Sequence, residues 1–154
     1  MPASVDTNPL VYIRSDKDVH FTGSIAQNAK GDESISFSNE IGRTNEVVIE
    51  GIAIQADQQL EWDIFLWTGA EYDNTDLDLD KFLGYINFPT ANQKQIGVAN
   101  QFYTAKTGLT IPYKDGDGTH KLHCSLVNRS ATAKNAGATG EIVITFMVRP
   151  IYFV

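Results

Sequence analysis

NEVVIEGIAIQADQQLEWDIFLWT, residues 45–68, holds two consecutive apolar runs rich in β-branched and aromatic side chains, separated by a short polar turn. Side chains alternate along a strand, so in the first run Val47, Ile49, Gly51 and Ala53 share one face while Val48, Glu50, Ile52 and Ile54 share the other. Both faces are largely apolar. In the second run Leu60, Trp62, Ile64 and Leu66 line one face, and Glu61, Asp63, Phe65 and Trp67 line a face that starts charged and ends aromatic. That second face is expected to be wet at one end and covered at the other. Helix is the competing reading of so long an apolar stretch, but the β-branched content and the central Gly51 argue against it. With residues 56–59 as a four-residue polar connection, the stretch predicts the central hairpin of a β-sandwich.

Working outward, residues 1–8 are small and polar and are expected to form an extended arm, with one β-sandwich domain over 9–154. A first strand is predicted over 9–14, with Pro9 at the one strand position that demands no ladder donor. A short strand over 19–22, a polar loop over 27–32 and alternation at Ile35 and Phe37 follow. After Thr68 the chain turns acidic, and Thr75 with Asp78 three residues on resembles a capping box, which predicts a short helix over 76–83. Strands are predicted again over 85–88, 96–104 and 107–113, the last closed by Lys114-Asp115-Gly116-Asp117-Gly118, the strongest turn signal in the chain. Two long strands over 119–128 and 140–149 complete the set. Leu122, Cys124 and Leu126 share one face of the first; Ile142, Ile144, Phe146 and Val148 share one face of the second, which should be central or covered because Val143 and Met147 make its other face partly apolar. Pro150 removes a ladder donor, so residues 151–154 are expected as a bulged or edge extension. The pattern as a whole predicts an all-β fold, an antiparallel β-sandwich, with a jelly roll ahead of an immunoglobulin-like arrangement because there is only one Cys.

A chain of 154 residues can bury a core without staples, and the single Cys124 cannot form an intramolecular disulfide. The start MPASVDTNPL has neither a basic nor an apolar region of the secretory kind, so no leader is expected and the sequon at Asn128 is read as chance. No run approaches the length that would span a bilayer. A net charge of -7 repels phosphate backbones and anionic membranes, which argues against nucleic acid and membrane as partners.

Motifs with chemistry are weighed against plain structural readings. Asp76-x-Asp78-x-Asp80 starts like a calcium loop, yet Lys81 stands where such a loop needs Gly and Asn87 where it needs Glu, so a solvated acidic loop is expected. Asp115-Gly116-Asp117-Gly118 is read as a turn before a metal site. His120 and His123 sit three apart on a predicted strand, which sends their rings to opposite faces, and Cys124 reads as a buried structural thiol. The carboxylates Glu50, Glu61 and Asp63 on neighbouring strands read as ordinary strand charges. No catalytic residue, cofactor or metal ligand is assigned, and no enzymatic activity is expected.

An acidic chain with an amino-terminal arm MPASVDTNP, a jelly-roll-like run of strands and a hydrophobic end RPIYFV resembles the small capsid decoration, or cement, proteins of tailed bacteriophages. The resemblance implies a virion structural protein, made in the host cytoplasm, that assembles as a homotrimer on the capsid exterior and braces the major capsid protein. The expected contact residues are Pro2, Val5 and Pro9 in and beside the arm, Trp67 and Tyr72 as aromatic anchors, and Ile151, Tyr152 and Phe153 at the carboxyl end. The alternative from another class is a carbohydrate-binding sandwich of a receptor-binding or fibre-tip protein, using exposed aromatics with Asp and Asn side chains. A small jelly-roll enzyme ranks third.

Overall fold

A computed structural model describes residues 10–15, 24–25, 27–28, 30–36, 44–69, 80–97, 101–135 and 142–151. Eleven strands run through them: β1 (Val11–Arg14), β2 (Ser24–Ile25), β3 (Lys30–Ser36), β4 (Glu46–Ala56), β5 (Trp62–Trp67), β6 (Phe82–Phe88), β7 (Lys94–Gln95), β8 (Phe102–Lys114), β9 (Lys121–Asn128), β10 (Lys134–Asn135) and β11 (Ile142–Pro150). One antiparallel sheet has the order β1-β11-β4-β8-β7, a second has the order β3-β9-β5-β6, and β10 pairs with β2. The all-β sandwich expected from the alternation is what the chain forms. Inward side chains Val47, Ile49, Ile52 and Ile54 of β4 and Ile144, Phe146 and Val148 of β11 join Trp62, Ile64 and Leu66 of β5 and Leu122, Cys124 and Leu126 of β9 in one core between the sheets. Each fully buried aliphatic side chain of this set stabilises the fold by about 1.5–3 kcal/mol.

The expected central hairpin does not form. β4 lies between β11 and β8, whereas β5 lies between β9 and β6 in the other sheet. Both runs have an apolar inner face that must be covered from the opposite side, and crossing between layers brings those faces together where pairing in one layer would leave each uncovered. The crossing segment is pinned from both flanks: Gln59 Nε2 donates to the carbonyls of Thr90 (3.1 Å) and Gln93 (3.2 Å), Gln93 Nε2 donates to Leu60 O, and Glu61 N donates to Ser130 Oγ (2.7 Å).

The strict alternation expected along β4 is broken. Ile49 faces Val148 and Gly51 faces Met147, which leaves Glu50 as an extra residue that shifts the phase. Val47 and Ile49 point inward before it, Ile52 and Ile54 after it, and Met147 lies directly across Gly51, where a Cβ would sit 2.7 Å from its Sδ.

Other boundaries move for local reasons. Residues 30–32, expected in a loop, belong to β3, whose backbone pairs with β9 from Lys30 opposite Val127 to Ser36 opposite Lys121; β3 is an edge strand, where charged residues are tolerated. The helix expected over 76–83 is corrected at its end, because Phe82 and Leu83 already belong to β6, where Phe82 pairs with Trp67; its earlier residues 76–79 lie outside the described set, as do the strand over 19–22 and Phe37. The strands expected over 96–104 and 107–113 are replaced by the single β8, just before which Ile96 N donates to Gln101 O (2.7 Å). β11 includes Pro150, opposite Val47; Ile151 N donates to Glu46 O (2.9 Å), so the nitrogen of Pro150 faces away from β4 and no ladder bond to that strand is lost. β11 sits between β1 and β4, central as expected.

Phe146→Ala should lower the unfolding free energy in urea by about 3–5 kcal/mol, because the ring is fully buried between the sheets. Tyr12→Ala, at a side chain that is 60% exposed, should stay within about 0.5 kcal/mol of the parent.

Candidate functional site

Three places concentrate polar or exposed aromatic chemistry: the crossing from β8 to β9 and the two outer faces of the sandwich. The crossing is built around Asp115, whose backbone N–H donates to Asn45 O (2.9 Å). Its carboxylate, buried in the protein, accepts five hydrogen bonds. Oδ1 takes Asp117 N (3.0 Å) and His123 Nε2 (3.0 Å), and Oδ2 takes Thr119 N (2.7 Å), Thr119 Oγ1 (2.8 Å) and Lys121 N (3.1 Å). Burial alone would push its pKa up, but the bonds from Lys121, Thr119 and His123 outweigh it and hold the carboxyl below its ordinary value. Beside it, the Tyr113 hydroxyl donates toward Trp67 O (2.9 Å) or Lys121 O (3.1 Å) and accepts from His123 N (2.9 Å), joining a strand of one sheet to two strands of the other.

Asp115, Asp117 and His123 offer ligand atoms within 4.8 Å of one another, a convergence with the outline of a cation site. The donor set does not fit one. Both Asp115 oxygens are filled by hydrogen bonds, and the His123 nitrogen that would ligate is the one donating to Asp115 Oδ1. The cluster is a strut that fixes the crossing.

The outer face of the five-stranded sheet carries Arg14, Lys94 and the ion pairs Lys114–Glu46 (3.3 Å) and Arg149–Glu50 (3.0 Å), with small and apolar residues between them. Paired residues share a face, and across the sheet the rows are Tyr12, Met147, Gly51, Thr107; then Arg14, Thr145, Ala53, Ala105; then Val143, Gln55, Tyr103, Lys94. Tyr12 and Tyr103 are exposed. At one corner a shallow groove of about 440 Å³ runs along Leu10, Thr107, Leu109 and Met147, with the Arg149–Glu50 ion pair (3.0 Å) on its wall.

The outer face of the four-stranded sheet carries Asp63, Phe65 and Trp67 from β5 beside Asn87, Tyr85 and Phe82 from β6. Its charged-to-aromatic order matches the sequence reading and the Trp67 end is covered, but Asp63 is buried as well, so the charged end is not wet there. Trp67 is fully buried, packs on Phe82 (ring centroids 5.3 Å apart) and donates its indole N–H to Ser125 Oγ (2.8 Å). It is therefore a packing residue and not the exposed anchor expected from its place at a strand end; a hydroxyl acceptor on the adjacent β9 makes burial of the indole favourable. At the charged end Arg129 closes over the sheet, donating from Nε to Asp63 Oδ2 (2.7 Å) with its guanidinium 5.7 Å from the Phe65 ring centroid.

Of the remaining expected contact residues, Ile151 is half-buried, its carbonyl accepting from Thr44 Oγ1 (2.7 Å), while Pro2, Val5, Pro9, Tyr72, Tyr152 and Phe153 lie outside the described residues. Cys124 is buried, as expected. Asn128 is fully buried too, donating to Thr132 O (2.8 Å) and accepting from Ser130 N (2.9 Å), which bars glycan attachment to the folded chain. His120 turns away at φ 58 with Nδ1 2.8 Å from Thr44 O, so it and His123 do not converge. The exposed Tyr85 and the clamp Arg129 were not singled out as a pair in the sequence, since nothing local marks two residues 44 positions apart as neighbours. No protein-family model matches the chain, and no curated protein matches it.

Asp115→Asn replaces acceptors with an amide that faces backbone donors, and should cost about 2–4 kcal/mol in urea unfolding at neutral pH. Because the folded carboxyl titrates below its unfolded value of 3.8, its contribution is complete well above that pH and is lost as the pH falls through the folded value. The parent should therefore lose stability below about pH 4, and the difference between parent and Asp115→Asn should shrink there.

Proposed function

We propose that this chain is a structural, protein-binding jelly roll that decorates the exterior of a tailed-phage capsid, assembling as a homotrimer and bracing the major capsid protein. The observation that carries the reading is the middle of the outer face of the five-stranded sheet, where three rows of small, apolar and tyrosyl residues hold only Arg14 and Lys94 as charges. Such a face suits contact with another protein. The chain enters the described fold at Leu10 and reaches Ile151 at the same corner, since Val11 pairs with Val148. Residues 1–9 and 152–154 are thereby attached beside the Leu10 groove, which favours both ends as contact pieces.

The strand order supports the jelly-roll reading. Numbering only β1, β3, β4, β5, β6, β8, β9 and β11 from first to eighth, one sheet runs first-eighth-third-sixth and the other second-seventh-fourth-fifth, the order left by two interlocked Greek keys.

Sedimentation equilibrium should give three times the 17.0 kDa chain mass, and the protein should co-sediment with capsids stripped of their decoration. Removing residues 1–8 should weaken capsid binding about tenfold or more without shifting the urea midpoint, because the core cluster among the described residues begins at Ile13. A 17.0 kDa species that ignores such capsids would overturn the reading.

A further inference from the structure

On the face of the sandwich opposite the proposed contact surface, Tyr85 stands 61% exposed on β6, its ring centroid 5.8 Å from that of Phe65. Two residues along the same face, Asn87 donates both amide protons, to Glu61 Oε1 (3.0 Å) and Asp63 Oδ1 (2.7 Å). That fixes the amide and leaves its Oδ1 as a pure acceptor. Arg129 is fixed in turn by Asp63 and, through Nη1, by Asn28 Oδ1 (3.1 Å). Asn87 Oδ1, Glu61 Oε2, Arg129 Nη2 and the Tyr85 hydroxyl have no hydrogen-bond partner among the described residues. Acceptors and a donor of fixed orientation thus share the sheet face with an exposed aromatic plate.

We propose that this patch binds a neutral glycan, with a pyranose ring laid on Tyr85 and its hydroxyls bonded to Asn87, Glu61 and Arg129. The apolar C–H face of a sugar matches the ring, and each hydroxyl both donates and accepts, matching a mixed set of partners. A purely apolar ligand would leave those groups dry and unpaired. Charge selects against acidic sugars: Glu61 and Asp63 outnumber Arg129 at the patch, in a chain of net charge -7. Strand addition by a peptide is also disfavoured. Leu66 pairs with Gly84 and Trp67 with Phe82, so Leu83 is an extra residue bulged from this edge strand, and Gly84 holds the φ of 138 that accompanies it.

Isothermal titration of the full chain with maltohexaose, cellohexaose and mannohexaose, and with hexagalacturonate as the anionic control, tests the site. At least one neutral hexasaccharide should bind. Tyr85→Ala should weaken it about tenfold or more, whereas Tyr85→Phe, which keeps the plate, and Tyr12→Ala on the far face should change it less than about threefold. Circular dichroism and urea midpoints matching the parent would establish that the variants are folded, as expected for exposed side chains. Three results would each overturn the proposal: no neutral hexasaccharide binding at millimolar concentration, binding that survives Tyr85→Ala in full, or tighter binding of hexagalacturonate.

Discussion

The Asp115 carboxylate ties the chain that leaves the five-stranded sheet to the strand that enters the four-stranded one, and it does so from a buried position with five donors aimed at it. A sandwich of this kind is held by apolar burial, which is strong but non-directional. The hydrogen bonds at the crossing supply the direction that burial lacks, because three of the five donors are backbone groups of residues 117, 119 and 121, whose aim is set by the path of the loop. With that loop fixed, Tyr113 reaches Trp67 and Lys121, Gly116 N bonds Thr68 O (2.7 Å), and the ends of β5, β8 and β9 meet.

The two outer faces solve the exposure of a sheet differently. On the five-stranded side, Gly51, Ala53 and Ala105 keep the surface low, with tyrosines at its margins. On the four-stranded side the side chains are long and tied to one another through Asp63, Asn87 and Arg129. The first surface offers broad shape and little directed bonding, as a protein contact does; the second offers fixed polar groups around one ring, as a small-ligand contact does.

The alternation of residues 45–68 made the sandwich legible in the sequence, since period-two patterning depends only on one face being buried. It could not show whether two neighbouring strands share a sheet. The hairpin reading failed because the residues that hold the crossing, Gln93 and Ser130, lie far along the chain. The phase of β4 beyond Glu50 was hidden for a similar reason, as a bulge is decided by the partner strand. Cys124, Leu122 and Leu126 were read correctly because burial there follows from local pattern, whereas Trp67 was misplaced because its cover comes from Ser125 and Phe82. The Asp115 turn was visible, but its bond to His123 needed the path of the chain across the sheets.

Pairing of β1 with β11 has a consequence for how the fold is reached. Ser15 N donates to Ile144 O (2.9 Å) and Ile144 N donates to Ser15 Oγ (3.0 Å), across 129 positions of sequence. β4 is likewise bounded on one side by β11, so the five-stranded sheet lacks its second strand until β11 is available. A ribosome must therefore release the segment from β1 through β11 before either edge of β11 can be used. Loop closure over such spans makes the search slow compared with folds built from sequence neighbours. During that interval one edge of β4 stands open, and a net charge of -7 opposes association of the waiting chains.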